Sequence, residues 1–163
     1  MYSVTLDVTQ RIIDLLESSG IAYRRVEHGP TRTSEESAAA RGEPLENGAK
    51  ALLIKVDDDF HLFVLCADRQ LDSAALKRLL NAKKTRFASA EELLEQTGLV
   101  PGSVPPFGAP ILPYALYADD EVGRRTDRVA FNAGSLTTSL VLAASDWERI
   151  ARPQRLSFAK PAK

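Results

Sequence analysis

The chain has 163 residues, of which 44% are apolar and 26% charged, and its formal net charge is −1. That length suits one domain able to bury a core without disulfides or metals, and the balance is that of an ordinary soluble protein, which excludes the disordered and membrane-spanning classes. One cysteine, Cys66, and two histidines, His28 and His61, exclude an internal disulfide and a zinc-type ligand cluster, so neither a metal nor another cofactor is expected.

The segment Met1–Asp7 has no basic stretch followed by an apolar core, so no signal peptide is expected and the cytoplasm is the expected compartment. Without a global positive field, a nucleic-acid partner must be met through a local basic patch.

Val8, Ile12, Leu15 and Leu16 recur at helical spacing, with Asp7 and Gln10 at the start and Gly20 at the end, and predict an amphipathic helix. Ala22–Glu27 predicts a strand that ends in the turn His28-Gly29-Pro30. Thr33 and Glu36 have capping-box spacing ahead of a short helix closed by Gly42. Its amides form a possible anion site, although Thr33 reads first as a cap. After a polar linker, Ala49–Val56 and Phe60–Ala67 flank Asp57-Asp58-Asp59 and predict a β-hairpin with a strand buried on both faces. Lys50, at the start of that buried run, is either a snorkelling surface residue or a cation at a pocket mouth.

Asp72 caps a helix carrying Leu76, Leu79 and Leu80, and a basic cluster of Lys77, Arg78, Lys83, Lys84 and Arg86 follows. Ser89 and Glu92 box the next helix, which Gly98 ends. Ile111–Ala118, Arg128–Asn132 and Thr137–Leu142 read as strands, and Asp119-Asp120-Glu121 as a solvated acidic turn. A last helix is expected from Ser145, boxed with Glu148, to just before Pro153. The sum is an α/β (α+β) fold: a mixed, mainly antiparallel β-sheet or partial barrel surrounded by helices. One domain spans 1–155, and 156–163 forms a basic, mobile tail.

From Gln96 to Ala118 there is no Asp, Glu, Lys or Arg. Within this run lies Gly102-Ser103-Val104-Pro105-Pro106-Phe107-Gly108, where glycines permit unusual φ and prolines withhold amides, so the remaining N–H groups point in few directions. Such a run is expected to be buried or to line a cavity, and its prolines exclude a bilayer helix. A tight structural turn is the alternative reading.

No Gly-x-Ser-x-Gly context surrounds Ser103 or Ser135, and no Walker or dinucleotide fingerprint is present, which argues against a serine hydrolase and a phosphate-cradling nucleotide enzyme. Amides, one lysine and small polar residues can bind a carbonyl and a phosphate and position a water, without a strong general base.

Three segments, Gly48–Lys55, Gly102–Gly108, and Phe131–Ser135 with Thr137–Leu140, come in the order and near the spacing of the YbaK family, which the chain resembles over nearly its whole length. That family includes the insertion editing domain of bacterial prolyl-tRNA synthetases. The resemblance implies a free-standing trans-editing aminoacyl-tRNA deacylase whose partners are the acceptor end of mischarged tRNA and, as a further option, an aminoacyl-tRNA synthetase, with no membrane and no DNA. It implies that Lys50 holds the terminal adenosine or its phosphate as the catalytic residue. The loop of Gly102, Ser103, Val104, Phe107 and Gly108 would grip the aminoacyl carbonyl. Gly134 and Ser135 would border the amino-acid pocket, with His28 and Thr33 on its rim. Two departures are visible. Ala51 stands where many members are polar, and Asn132–Ser135 lacks the histidine of members that reject alanine, so amino-acid specificity is not carried over. A non-catalytic module binding aminoacyl-tRNA or a synthetase through the same pocket is the alternative.

Overall fold

The computed structural model describes residues 7–31 and 33–162. Met1–Leu6, on which the reading of the N-terminus largely rests, lie outside the described residues, as does Lys163 at the end of the expected tail.

The caps written into the sequence set the helices. Asp7 accepts from the Gln10 amide to open α1 (Val8–Ser18), which buries Ile12, Ile13 and Leu16. β1 (Tyr23–Glu27) leads to α2 (Ser34–Arg41), opened by a reciprocal Thr33–Glu36 box and closed by Gly42 at φ 69°. A turn of 3-10 helix, Leu45–Asn47, delivers β2 (Ala49–Val56), which turns at Asp57-Asp58 into β3 (Asp59–Cys66). Then come β4 (Arg69–Leu71), α3 (Ser73–Leu79) capped by Asp72, β5 (Thr85–Phe87), and α4 (Ala90–Thr97) boxed by Ser89 and Glu92. The chain finishes with β6 (Leu116–Asp119), β7 (Arg128–Asn132), β8 (Thr138–Ala143), α5 (Ala144–Ala151), β9 (Gln154–Leu156) and β10 (Ala159–Pro161).

A mixed sheet has the order β5-β2-β3-β6-β9, antiparallel across β5-β2-β3 and parallel across β3-β6-β9. A second, antiparallel sheet has the order β1-β8-β7. Among the described residues the two do not close into a barrel; a parallel bridge from Gly48 to Ala130 joins them at one corner. That bridge sets the start of β2 beside the end of β7. The main core, including Leu53, Leu62, Val64, Val129, Phe131, Leu140 and Trp147, lies between the sheets and is completed by α1 and the charge-free run. Ile54, Phe63, Leu65, Leu76 and Phe158 form a smaller core on the other face of the mixed sheet.

Four expectations are corrected. The strand expected over 111–118 shrinks to Leu116–Asp119, because Pro110 and Pro113 withhold ladder amides and the preceding run stays irregular. The last helix starts at Ala144 without a side-chain cap, its first amide donating to the Asp127 carbonyl, so Ser145 and Glu148 form no box. Asp119, read as part of a solvated turn, is 3% exposed and accepts from the amides of Glu121, Phe158 and Ala159. That carboxylate and the fully buried Phe158 ring hold the expected tail in place, with β9 on β6 and β10 on β4. Among the described residues no helix is long and apolar enough to cross a membrane.

Candidate active site

A cavity of about 190 Å³ opens at the corner where the two sheets meet. Three segments build it. Helix α2 contributes Ser34, Ser37 and Arg41, spaced so that they share a face with the cap residue Thr33. The first residues of β2 bring Lys50 and Ala51, and the glycine–proline loop with the end of β7 brings Gly102, Val104 and Asn132.

Lys50 is half-buried, and among the described residues no carboxylate lies within ion-pair distance of it. Burial pushes its ammonium below the ordinary lysine range, opposed only by the more distant charges of Glu35, Asp68 and Cys66. A desolvated cation with weak compensation is suited to take a negative group from outside.

The loop is held from several sides. Gly102 has φ 90°, a conformation that favours glycine, and its carbonyl accepts from Asn132 Nδ2 at 2.9 Å. The Ser103 carbonyl accepts from the Gly134 amide at 2.9 Å, and the Pro106 carbonyl from Trp147 Nε1 at 2.9 Å. Phe107 is 2% exposed and packs edge-to-face on Phe131 with ring centroids 5.5 Å apart. With its carbonyls so anchored, the loop leaves the amides of Gly102 and Val104 without a hydrogen-bond partner among the described residues, both at the cavity wall.

Beneath the cavity runs a buried polar network. Arg41 Nε donates to Ser139 Oγ at 3.1 Å and Nη2 to Asn132 Oδ1 at 3.0 Å; Ser37 Oγ donates to Thr31 Oγ1 at 2.8 Å. Arg41 is 5% exposed, and burial lowers its pKa to about 10, opposed by Glu43, which leaves it a cation at neutral pH. His28 reaches the network from outside: Nδ1 is 2.8 Å from the Gly29 carbonyl, and Nε2 is 2.8 Å from Ser139 Oγ. A carbonyl only accepts, so Nδ1 carries a proton and donates.

Of the residues singled out in the sequence, Lys50, Thr33, Gly102 and Val104 converge on this cavity. The Thr33 hydroxyl accepts from the Glu36 amide and serves as a cap there. Ser103 turns its hydroxyl to the Val100 carbonyl at 2.8 Å, Phe107 serves the core, and Gly108 packs so tightly that a Cβ would lie 2.7 Å from the Tyr114 carbonyl. Gly134 supports α1, where a Cβ would lie 2.7 Å from Val8 Cγ1, and Ser135 Oγ is 3.0 Å from Thr137 Oγ1. These residues and His28 lie outside the cavity wall. Ser34, Ser37, Arg41 and Asn132 are polar lining residues to which the sequence reading gave no site role. The spacing of Ser34, Ser37 and Arg41 was the available signal, masked because a helix of mean composition Ser, Glu, Ala and Arg reads as solvated.

The fold and cavity therefore define a small domain that presents a half-buried lysine, and two loop amides unpartnered among the described residues, to one small cavity. Residues 28–150 match the aminoacyl-tRNA editing domain family, and the chain belongs to that family. It is 38% identical over 158 residues to the multifunctional Ser/Thr-tRNA deacylase ProXp-y of Escherichia coli K12, covering 94% of this chain and 93% of that protein. It is 36% identical over 102 residues to the proline–tRNA ligase of Shouchella clausii, covering 63% of this chain and 18% of the ligase. The fold superposes with TM-score 0.80 on the crystal structure of a candidate trans-editing enzyme for prolyl tRNA synthetase, at 24% identity and covering 96% of this chain and 99% of that one.

Proposed function

We propose that this protein hydrolyses the ester of mischarged tRNA in trans, removing a small aminoacyl group from the terminal adenosine. The observation that carries this reading is the joint presence, in one cavity of about 190 Å³, of half-buried Lys50 and the unpartnered amides of Gly102 and Val104. Lys50 takes the adenosine or its phosphate as a point charge. The two amides receive the ester oxygen as it becomes an oxyanion. Water attacks the carbonyl carbon, the bond to the ribose oxygen breaks, and the proton from water passes to that oxygen. Among the described residues no carboxylate or imidazole lines the cavity, so a neighbouring ribose hydroxyl or the substrate amine positions the water, and orientation does most of the work on an already activated ester.

Family membership and the 38% identical Ser/Thr-tRNA deacylase support this reading and favour seryl and threonyl groups as substrates. Similarity to part of a proline–tRNA ligase makes a synthetase a reasonable second partner, and the cytoplasm, where charged tRNA is used, is the compartment that follows.

The test is deacylation in trans of seryl-, threonyl- and alanyl-tRNA, mischarged and correctly charged, by wild type and Lys50→Ala. Hydrolysis of mischarged members that is lost in Lys50→Ala is the expected result. Binding of these tRNAs without hydrolysis by a folded wild-type protein overturns it in favour of a binding module.

A further inference from the structure

Arg41 lines the cavity but is half-used. Its Nε and Nη2 are engaged by Ser139 and Asn132, whereas Nη1 has no hydrogen-bond partner among the described residues. Nor does a carboxylate among them lie within ion-pair distance; Glu43, the acid whose charge it feels, is held by Arg24 at 2.9 Å and Arg128 at 3.3 Å. Nη1 sits under the cavity wall, 3.8 Å from where a Cβ on Gly48 would be, and it is not among the buried polar atoms sealed from solvent without a partner. Arg41 and Gly48 both line the cavity.

A guanidinium N–H pair with no protein acceptor at a cavity wall is free to be satisfied by whatever fills the cavity, and a ligand that displaces water there without offering an acceptor leaves the donor unpaired at a cost. Depth decides which part of the ligand that is. Lys50 is half-buried at the shallow end, whereas Arg41, Ser37 and Asn132 are 5%, 7% and 8% exposed. With the adenosine at Lys50 and the ester oxygen at Gly102 and Val104, the amino-acid side chain is the part that reaches Arg41.

We infer that Arg41 Nη1 donates a hydrogen bond to the side-chain oxygen of the aminoacyl group, so that the pocket selects hydroxy amino acids over side chains of equal size that lack the oxygen. The inference rests on the deacylase reading above. Serine differs from 2-aminobutyrate, and threonine from valine, by replacement of a hydroxyl with a methyl. Size therefore cannot discriminate within either pair, and rejection of the analogue comes from leaving a buried donor unpaired.

The experiment measures kcat/KM for seryl- and 2-aminobutyryl-tRNA with the wild-type chain, Arg41→Lys and Arg41→Met, each checked for folding by thermal melt. The wild type is expected to prefer the seryl ester by at least about tenfold, the scale of a charge-assisted hydrogen bond. Either Arg41 variant that folds is expected to bring the ratio close to one. A purely structural Arg41 would depress both esters alike and leave the ratio intact, which overturns the assignment. So does a wild type that hydrolyses both esters equally, a result independent of whether the variants fold. A wild type that hydrolyses neither overturns the deacylase reading itself.

Discussion

The side-chain amide of Asn132 donates to the Gly102 carbonyl at 2.9 Å while its oxygen accepts from Arg41 at 3.0 Å. One buried residue at the end of β7 thus holds both the loop that presents free amides and the cation beneath the cavity. The Gly48–Ala130 bridge makes this possible, because it places the end of β7 beside the start of β2.

Removing the Asn132 side chain is expected to act on both. Asn132→Ala leaves the Arg41 Nη2 donor and the Gly102 carbonyl without their partner, and each buried group so orphaned costs about 1–3 kcal/mol. If, as proposed, the loop amides receive the developing oxyanion, kcat is expected to fall by more than tenfold with a smaller change in KM. Urea denaturation and single-turnover deacylation check the two effects separately. A variant as active as wild type would show that the loop holds its shape without Asn132.

Gly48 is expected to tolerate no side chain. Its φ is −67°, which any residue adopts, so the constraint is space: a Cβ would lie 2.7 Å from Ala67 Cβ and 3.2 Å from the Leu45 carbonyl. Neither neighbour is the end of a flexible chain. Gly48→Ala is expected to destabilise by about 1–3 kcal/mol and to shift β2, and with it Lys50, relative to the loop. A denaturant melt with an unchanged midpoint would contradict this.

What the sequence made legible follows from how local each signal is. The boxes Thr33–Glu36 and Ser89–Glu92 form as their three-residue spacing predicts, since a cap depends on neighbours in the chain. The hairpin β2–β3 is equally local. Arg41 and Asn132 were opaque because they are 91 residues apart and gain meaning only when the end of α2 meets the end of β7. The same holds for the C-terminal segment, whose basic composition points to solvent while Phe158, alone among its described residues, carries the burial.

That segment yields a further expectation. Phe158 packs edge-to-face on Phe63 with centroids 5.6 Å apart, and its amide donates to Asp119 at 2.8 Å. Phe158→Ala is expected to cost about 3–5 kcal/mol, a large part of the stability of a domain this size. Deleting the residues after Leu156 should cost at least as much, since Asp119 would also lose the amides of Phe158 and Ala159. A truncated chain with the wild-type melting temperature would mean that the segment contributes little.

Lys50 links stability and binding through one proton. Its folded-state pKa lies below the ordinary lysine value because burial disfavours the ammonium. In the alkaline window between the two values the unfolded chain binds more protons than the folded one, so Lys50 contributes a stability that rises with pH there. Lys50→Met removes that contribution, and the difference in unfolding midpoint between wild type and variant is expected to change in favour of wild type as pH rises through the window. Binding moves the other way. The ammonium proposed to grip the phosphate or adenosine disappears as pH rises through the depressed value, so affinity for a non-hydrolysable 3′-seryl-amide analogue of the tRNA end is expected to fall before free lysine would titrate. Lys50→Arg, whose cation persists across this range, is expected to abolish that alkaline loss even if it binds more weakly throughout. Titrating the analogue against all three proteins reads the effect without the spontaneous hydrolysis that alkaline pH imposes on the ester. Identical alkaline limbs in wild type and Lys50→Arg would place the titrating cation elsewhere and remove Lys50 from the binding step.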